Sequence, residues 1–204
     1  MYLQEFWELF LQGARNSSAL EAGGIVFGLA SVWYAKKENI LVFPTGIVSV
    51  LIYIYICAQF KLYADMSING YYLVMSIYGW VVWGRTDMEK QHIPITACNT
   101  REKALYILSA VVAFFIIRFV LMGYTDSDVP NWDALTTAIF VVGMVLMARK
   151  KIENWVAWIV GDAISIPLYL YKGLAFTSFQ FLVFTLMAVW GYMTWRRKLE
   201  MQER

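Results

Sequence analysis

Apolar residues in this chain come in long blocks rather than in one-sided stripes. Seven blocks, about 19–35, 40–60, 66–84, 103–123, 132–148, 154–171 and 174–195, are separated by short polar clusters. Each is near the ~20 residues a helix needs to cross a ~30 Å hydrocarbon layer. The pattern predicts an all-α integral membrane protein with seven transmembrane helices. Ahead of them, within residues 1–18, Phe6, Leu9 and Phe10 fall at helical spacing with Trp7 alongside, which predicts a short helix lying at a membrane interface.

The blocks repeat. Ala35-Lys36-Lys37-Glu38-Asn39 opens one apolar run and Ala148-Arg149-Lys150-Lys151-Ile152-Glu153-Asn154 opens another, and each run later shows a Tyr-x-Tyr, at Tyr53 and Tyr55 and at Tyr169 and Tyr171. Each unit closes alike, with Gly79-x-x-x-Trp83-x-Arg85 and Gly191-x-x-x-Trp195-x-Arg197. The offsets are 115 residues for the asparagines, 116 for the first tyrosines and 112 for the glycines. Two three-span units follow, over 19–85 and 132–197. An odd number of crossings reverses a chain, so the unpaired fourth span, inside 86–131, restores the direction. The result is a three-plus-one-plus-three layout with parallel halves and a tail over 198–204. Internal repeats of this kind mark solute transporters, whose site lies between the halves near mid-membrane.

Composition agrees. The chain is 60% hydrophobic and 16% charged, with a mean hydropathy of +0.54, whereas a soluble domain is about a quarter charged. Net charge is only +2, which gives no reason to expect nucleic acid as a partner. Its distribution says more. With seven spans, one side of the membrane receives Arg15, Lys61 and Lys172, and the other Lys36, Lys37, Arg85, Lys90, Arg101, Lys103, Arg149, Lys150, Lys151, Arg196, Arg197, Lys198 and Arg204. That asymmetry predicts an outer amino terminus and a cytoplasmic carboxyl terminus. Met1–Gln12 carries Glu5 and Glu8 and no basic start, unlike a cleaved signal peptide. Cys57 and Cys98 define no disulfide framework and are expected as free thiols. Arg85–Glu102, with Asp87, Glu89, Lys90, His92 and Pro94, reads as a solvated linker. Tyr124–Asn131, with Asp126 and Asp128, reads as a hydrated turn or a lure for cations.

Asp162 stands out, about midway between Lys151 and Lys172 and the only acid at mid-membrane depth. An ionised carboxylate there costs roughly 2.5 to 3.5 kcal/mol on insertion scales, so it should face the bundle interior or a wet cavity. At 100° per residue, Trp155, Trp158, Asp162, Ser165 and Tyr169 share a narrow arc. Such a stripe can hold a flat cationic ring, indoles stacking and the carboxylate balancing charge. It can equally be an interfacial tryptophan with an interhelical hydrogen bond. Asn69, Tyr72, Ser76, Gly79 and Trp83 make a second polar face in the third span, and Gln180 puts an amide in the seventh at nearly the depth of Asn69. These amides suit ligand hydroxyls or a carboxamide, or helix contacts. In the second span Pro44 and Gly46, followed by Thr45, Ser49 and Tyr53 at steps of four, suggest a bend. Arg118, toward the outer end of the fourth, either snorkels or pairs with an outer acid. There is no glycine-rich phosphate loop, no His-Glu-x-x-His, no Gly-x-Ser-x-Gly and no histidine within any block. Neither an enzyme nor a metal or cofactor site is expected.

Three stretches, Ile77-Tyr78-Gly79-Trp80-Val81-Val82-Trp83, Glu153-Asn154-Trp155-Val156-Ala157-Trp158-Ile159-Val160-Gly161-Asp162 and Leu168-Tyr169-Leu170-Tyr171-Lys172-Gly173-Leu174, resemble the PnuC-type vitamin transporters over about Glu21 to Arg197. The resemblance implies duplicated three-helix halves akin to the sugar-carrying SWEET architecture, a homotrimer in the bacterial inner membrane, and facilitated uptake of nicotinamide riboside trapped by a cytoplasmic kinase. It maps Trp155, Trp158 and Asp162 onto the sixth-span substrate motif and Asn69 and Gln180 onto polar positions of the third and seventh spans. Tyr72, Ser76 and Trp80 complete the expected substrate-binding set. Asp162 stands where several members carry Asn, and Gly46 where some do. Relatives also carry thiamine, riboflavin or deoxynucleosides, and an acid at 162 suits a cationic vitamin better than neutral riboflavin. A non-transporting membrane subunit, with Asp162 as an interhelical contact, is the reading from another class.

Overall fold

A computed structural model describes residues 3–16, 18–85 and 93–202, which form eight helices: α1 (Leu3–Asn16), α2 (Ala19–Lys36), α3 (Val42–Gln59), α4 (Tyr63–Gly84), α5 (Thr100–Tyr124), α6 (Pro130–Ala148), α7 (Glu153–Tyr171) and α8 (Ala175–Gln202). Local chemistry sets their ends. The Ser18 hydroxyl accepts from the Glu21 N–H to start α2. Asn99 and Glu102 form a capping box on α5, and Pro130 opens α6, where its missing N–H costs nothing. By length and composition α3, α5, α6 and α8 can each cross a membrane, and the bent pair Gln4–Arg15 with Ala19–Lys36 raises the number to five.

Four turns are tight enough to need a left-handed residue: Glu38 (φ 55°), Lys61 (φ 56°), Lys150 (φ 51°) and Gly173 (φ 74°). Glu38 and Lys150 stand 112 residues apart, as do Lys61 and Gly173. The interval is that of Gly79 and Gly191. The same backbone solution thus serves α2–α3 and α6–α7, and again α3–α4 and α7–α8.

Six helices close a ring. α2 packs on α3, α3 on α4, α4 on α6, α6 on α7, α7 on α8, and α8 back on α2. Among the described residues α5 packs on α6, with ion pairs of Glu102 to Lys151 and Lys103 to Glu153 added, and α1 packs on α8. Phe10 of α1 lies 5.5 Å from the Phe176 ring and 5.4 Å from Phe179. The main core gathers at the basic end of the ring, around Ala35, Val42, Phe43, Trp83, Ile152, Trp155 and Trp195.

Three expectations are revised. Asp87, Glu89, Lys90 and His92 lie outside the described residues, but Ile95 and Cys98 of that linker are buried while Pro94, Thr96, Ala97 and Asn99 stay exposed. Ile95 is 1% exposed, Thr96 exchanges backbone hydrogen bonds with Lys150 and Ile152, and the Cys98 N–H donates to both Glu153 carboxylate oxygens at 2.9 and 3.0 Å. The exposed backbone of the α6–α7 turn gives this segment its partners. Pro44 makes no bend, because it sits in the first turn of α3. The internal proline is Pro167 of α7. Arg118 pairs with an amide rather than an acid, donating from Nε to the Asn131 Oδ1 at 2.7 Å. Cys57 and Cys98 are free and buried.

Candidate functional site in the ring interior

α7 turns Val156, Val160, Ala163 and Pro167 outward and buries Asn154, Trp155, Gly161, Asp162, Ser165 and Leu168. Asp162 is 4% exposed and has Tyr72 of α4 as an electrostatic neighbour. Tyr72 also neighbours Tyr169. A carboxylate and two phenols therefore share one neighbourhood, Tyr72 standing on α4 and Asp162 and Tyr169 on α7. This is the interior orientation that the cost of a lipid-facing charge demands.

Beside Asp162 runs a column of rings. Trp158 stacks on Phe140 of α6 at 5.5 Å and 26°, Phe140 on Phe181 of α8 at 6.2 Å and 5°, and Phe181 lies 5.0 Å from Tyr169. Gly161 makes the column possible, since a Cβ there would collide with the Phe140 ring. One face of Trp158 is spent on Phe140, and its ring also lies 3.6 Å from where a Cβ on Gly143 would stand. Tyr53 of α3 hydrogen-bonds to the side chain of Gln180 on α8, linking two more ring helices.

The remaining expected residues divide. Ser76 is buried and faces the close approach of α3 to α2, within 3.9 Å of where a Cβ on Gly46 would stand. Asn69 donates its amide back to the Asp65 carbonyl at 2.9 Å, and Ser165 likewise to the Gly161 carbonyl. Trp155 is 2% exposed at the basic end, packed on Gly191 and Trp195, with no hydrogen-bond partner for its indole nitrogen. Trp80 is 42% exposed, on a face with Ile77 and Val81, and is not brought to the others. Phe140 and Phe181 join the site without a signal in the sequence, because aromatic rings inside apolar runs give no contrast there. Two cavities are described, one lined by Leu20, Val48, Leu51, Ile52 and Tyr55, the other by α1, Glu21 and the α7–α8 turn; neither adjoins Asp162. Among the described residues no three His, Cys, Asp or Glu gather to hold a metal ion.

A family model described as nicotinamide mononucleotide transporter matches residues 18–197. The chain belongs to that family. It is similar to the nicotinamide riboside transporter PnuC of Escherichia coli K12, at 25% identity over 208 residues, covering 90% of this chain and 87% of the relative. The riboflavin/roseoflavin transporter RibM of Streptomyces davaonensis is 23% identical over 175 residues, covering 84% and 82%. A crystal structure of the vitamin B3 transporter PnuC has the same fold, with a TM-score of 0.72 and 24% identity over 96% of this chain and 88% of that one. The all-helical chain is a membrane transporter by family.

Proposed function

We propose that this protein is a facilitative carrier of nicotinamide riboside, with no enzymatic activity of its own, working by alternating access in the bacterial inner membrane. The observation that carries the reading is Asp162, buried inside the helix ring next to Tyr72 and a four-ring aromatic column. A buried carboxylate beside ring faces suits a planar cation, each cation–π contact adding about 0.5 to 2 kcal/mol. Asn69 and Gln180 supply amides for ribose or carboxamide, Ser76 a hydroxyl, and Trp155 an unpaired indole N–H at the floor. The relative's name favours nicotinamide riboside; thiamine, also an aromatic cation, is the alternative.

Seven spans fit this reading, with α2–α4 and α6–α8 as parallel halves joined by α5, and α1 lying at the outer interface. The recurring left-handed turns at a 112-residue interval support the halves. Asp162, the acid that interrupts the apolar run of α7, is buried rather than turned to lipid, as a span requires. Segregation of Lys and Arg supports a cytoplasmic basic end. A homotrimer, and trapping of the solute by a cytoplasmic kinase, complete the proposal.

Calorimetric titration of detergent-purified protein with nicotinamide riboside, thiamine and riboflavin tests it. Saturable heat with a cationic vitamin is expected, and no heat with any of the three overturns it. The burial of Asp162 also fits the non-transporting subunit, with that carboxyl as an interhelical contact. Liposomes enclosing a nucleoside kinase separate the two readings, because a subunit admits no solute.

A further inference from the structure

The two closing motifs, Gly79-x-x-x-Trp83 and Gly191-x-x-x-Trp195, do one job twice at the basic end of the ring. Gly79 lets the Phe43 ring seat against α4, and Gly191 lets the Trp155 ring seat against α8. Each seated ring then meets its own half's tryptophan edge-on, Phe43 on Trp83 at 5.1 Å and Trp155 on Trp195 at 5.5 Å. The two tryptophans in turn face each other at 6.1 Å. Four rings therefore run in an unbroken line from α3 to α7, across the ring of helices.

The bonds that hold this line cross between the two sets of three helices. Trp83 of α4 donates its indole N–H to the Met147 carbonyl at the end of α6, at 3.2 Å. Trp195 of α8 donates to the Ala35 carbonyl at the end of α2, at 3.1 Å. Both acceptors sit in the last turn of a helix and also accept from the turn that follows, Met147 from the Lys150 N–H and Ala35 from the Glu38 N–H. Charge adds a third tie. Glu38, in the α2–α3 turn, takes Lys198 of α8 at 2.7 Å and Lys150 of the α6–α7 turn at 3.4 Å. Lys150 is 4% exposed, donates to the Ile93 carbonyl at 2.9 Å and lies 4.7 Å over the Trp83 ring. Burial holds its ammonium below the ordinary lysine range. Removing Glu38 would strand that charge.

We infer that Phe43, Trp83, Trp155 and Trp195 form the gate at the basic end of the transport path, locked by the two indole hydrogen bonds and by Glu38 with Lys150 and Lys198. A solute held at Asp162 leaves at this end only when the line of rings parts. Each tie joins one half to the other, so a rocking motion of the halves breaks all of them together. The inference rests on the two-halves reading of the carrier but not on the identity of its vitamin.

Ala188, 2% exposed inside the same cluster, reports on the gate. In a Cys57→Ala, Cys98→Ala background, Ala188→Cys is alkylated with a membrane-impermeant maleimide from the basic side, in inside-out vesicles. Trp83→Phe with Trp195→Phe keeps the rings and deletes both donors. Each lost bond shifts a gate equilibrium by about two- to tenfold, so labelling should accelerate roughly tenfold or more, with no gain from the opposite side. An unchanged rate in a variant with wild-type folding overturns the gate. Should that variant fail to fold, Glu38→Gln carries the same expectation, and an unchanged rate there overturns the gate equally. Calorimetry with nicotinamide riboside on the wild type reads the carrier proposal separately, since the labelling assay needs no ligand.

Discussion

An ionised Asp162 in a membrane helix carries a cost of roughly 2.5 to 3.5 kcal/mol. It is buried next to the Tyr72 phenol, and in the proposed carrier a cationic ligand balances its charge. Asp162→Ala should weaken a cationic vitamin by more than about tenfold, as loss of a desolvated charge pair requires. Riboflavin, being neutral, should be little affected. Titration of both ligands against both proteins checks this, and equal affinities would make Asp162 a helix contact. Cys98 gives a prediction outside the membrane. Its thiol is pushed up to about 12, first by burial and then by Glu153. A raised thiol pKa means a stabilising neutral form, fully present below pH 9 and lost as pH rises toward 12. Maleimide at pH 8 should leave Cys98 unmodified in the native protein and modify it fully in denaturant, followed by mass spectrometry. At this scale Asp162 is legible in the sequence because depth alone singles out an acid. Phe140 and Phe181 are not, since nothing in a run of apolar residues says which ring meets which.

Helices here are tuned by what stands opposite their glycines. Gly191 admits the Trp155 ring so closely that a Cβ would lie 2.5 Å from it. The ring is buried and cannot retreat, so Gly191→Ala should destabilise by about 1 to 3 kcal/mol through overpacking. Gly70 of α4 has nothing within 4 Å of its would-be Cβ. Gly70→Ala should be neutral or gain up to about 1 kcal/mol from helix propensity. Thermal unfolding in detergent compares the two, and similar shifts would mean Gly191 is not a packing site. The apolar blocks anticipate α2 to α8 because helix length in a bilayer is set by thickness. What periodicity cannot tell is that Pro44 lies in a first turn, where it is harmless, and that the linker from Ile93 to Asn99 is held by an unsatisfied turn. Both depend on where a helix begins, the least constrained feature of a long apolar run.

Identical residues recur in the sequence at nearly fixed intervals, and the left-handed turns at Glu38 and Lys150 and at Lys61 and Gly173 keep such an interval. Which helices close the ring is not legible there. Closure of the ring depends on contacts of α4 with α6 and of α8 with α2, pairs far apart in the chain with no shared motif. Only folding brings the repeated tryptophans across those two contacts. The way the described parts meet has a practical consequence: the part up to Arg85 and the part from Ile93 onward pack on each other through α4 on α6, α2 on α8 and α1 on α8. Two polypeptides made separately, one ending at Arg85 and the other beginning at Ile93, should find each other in the membrane and co-purify through a tag on either piece.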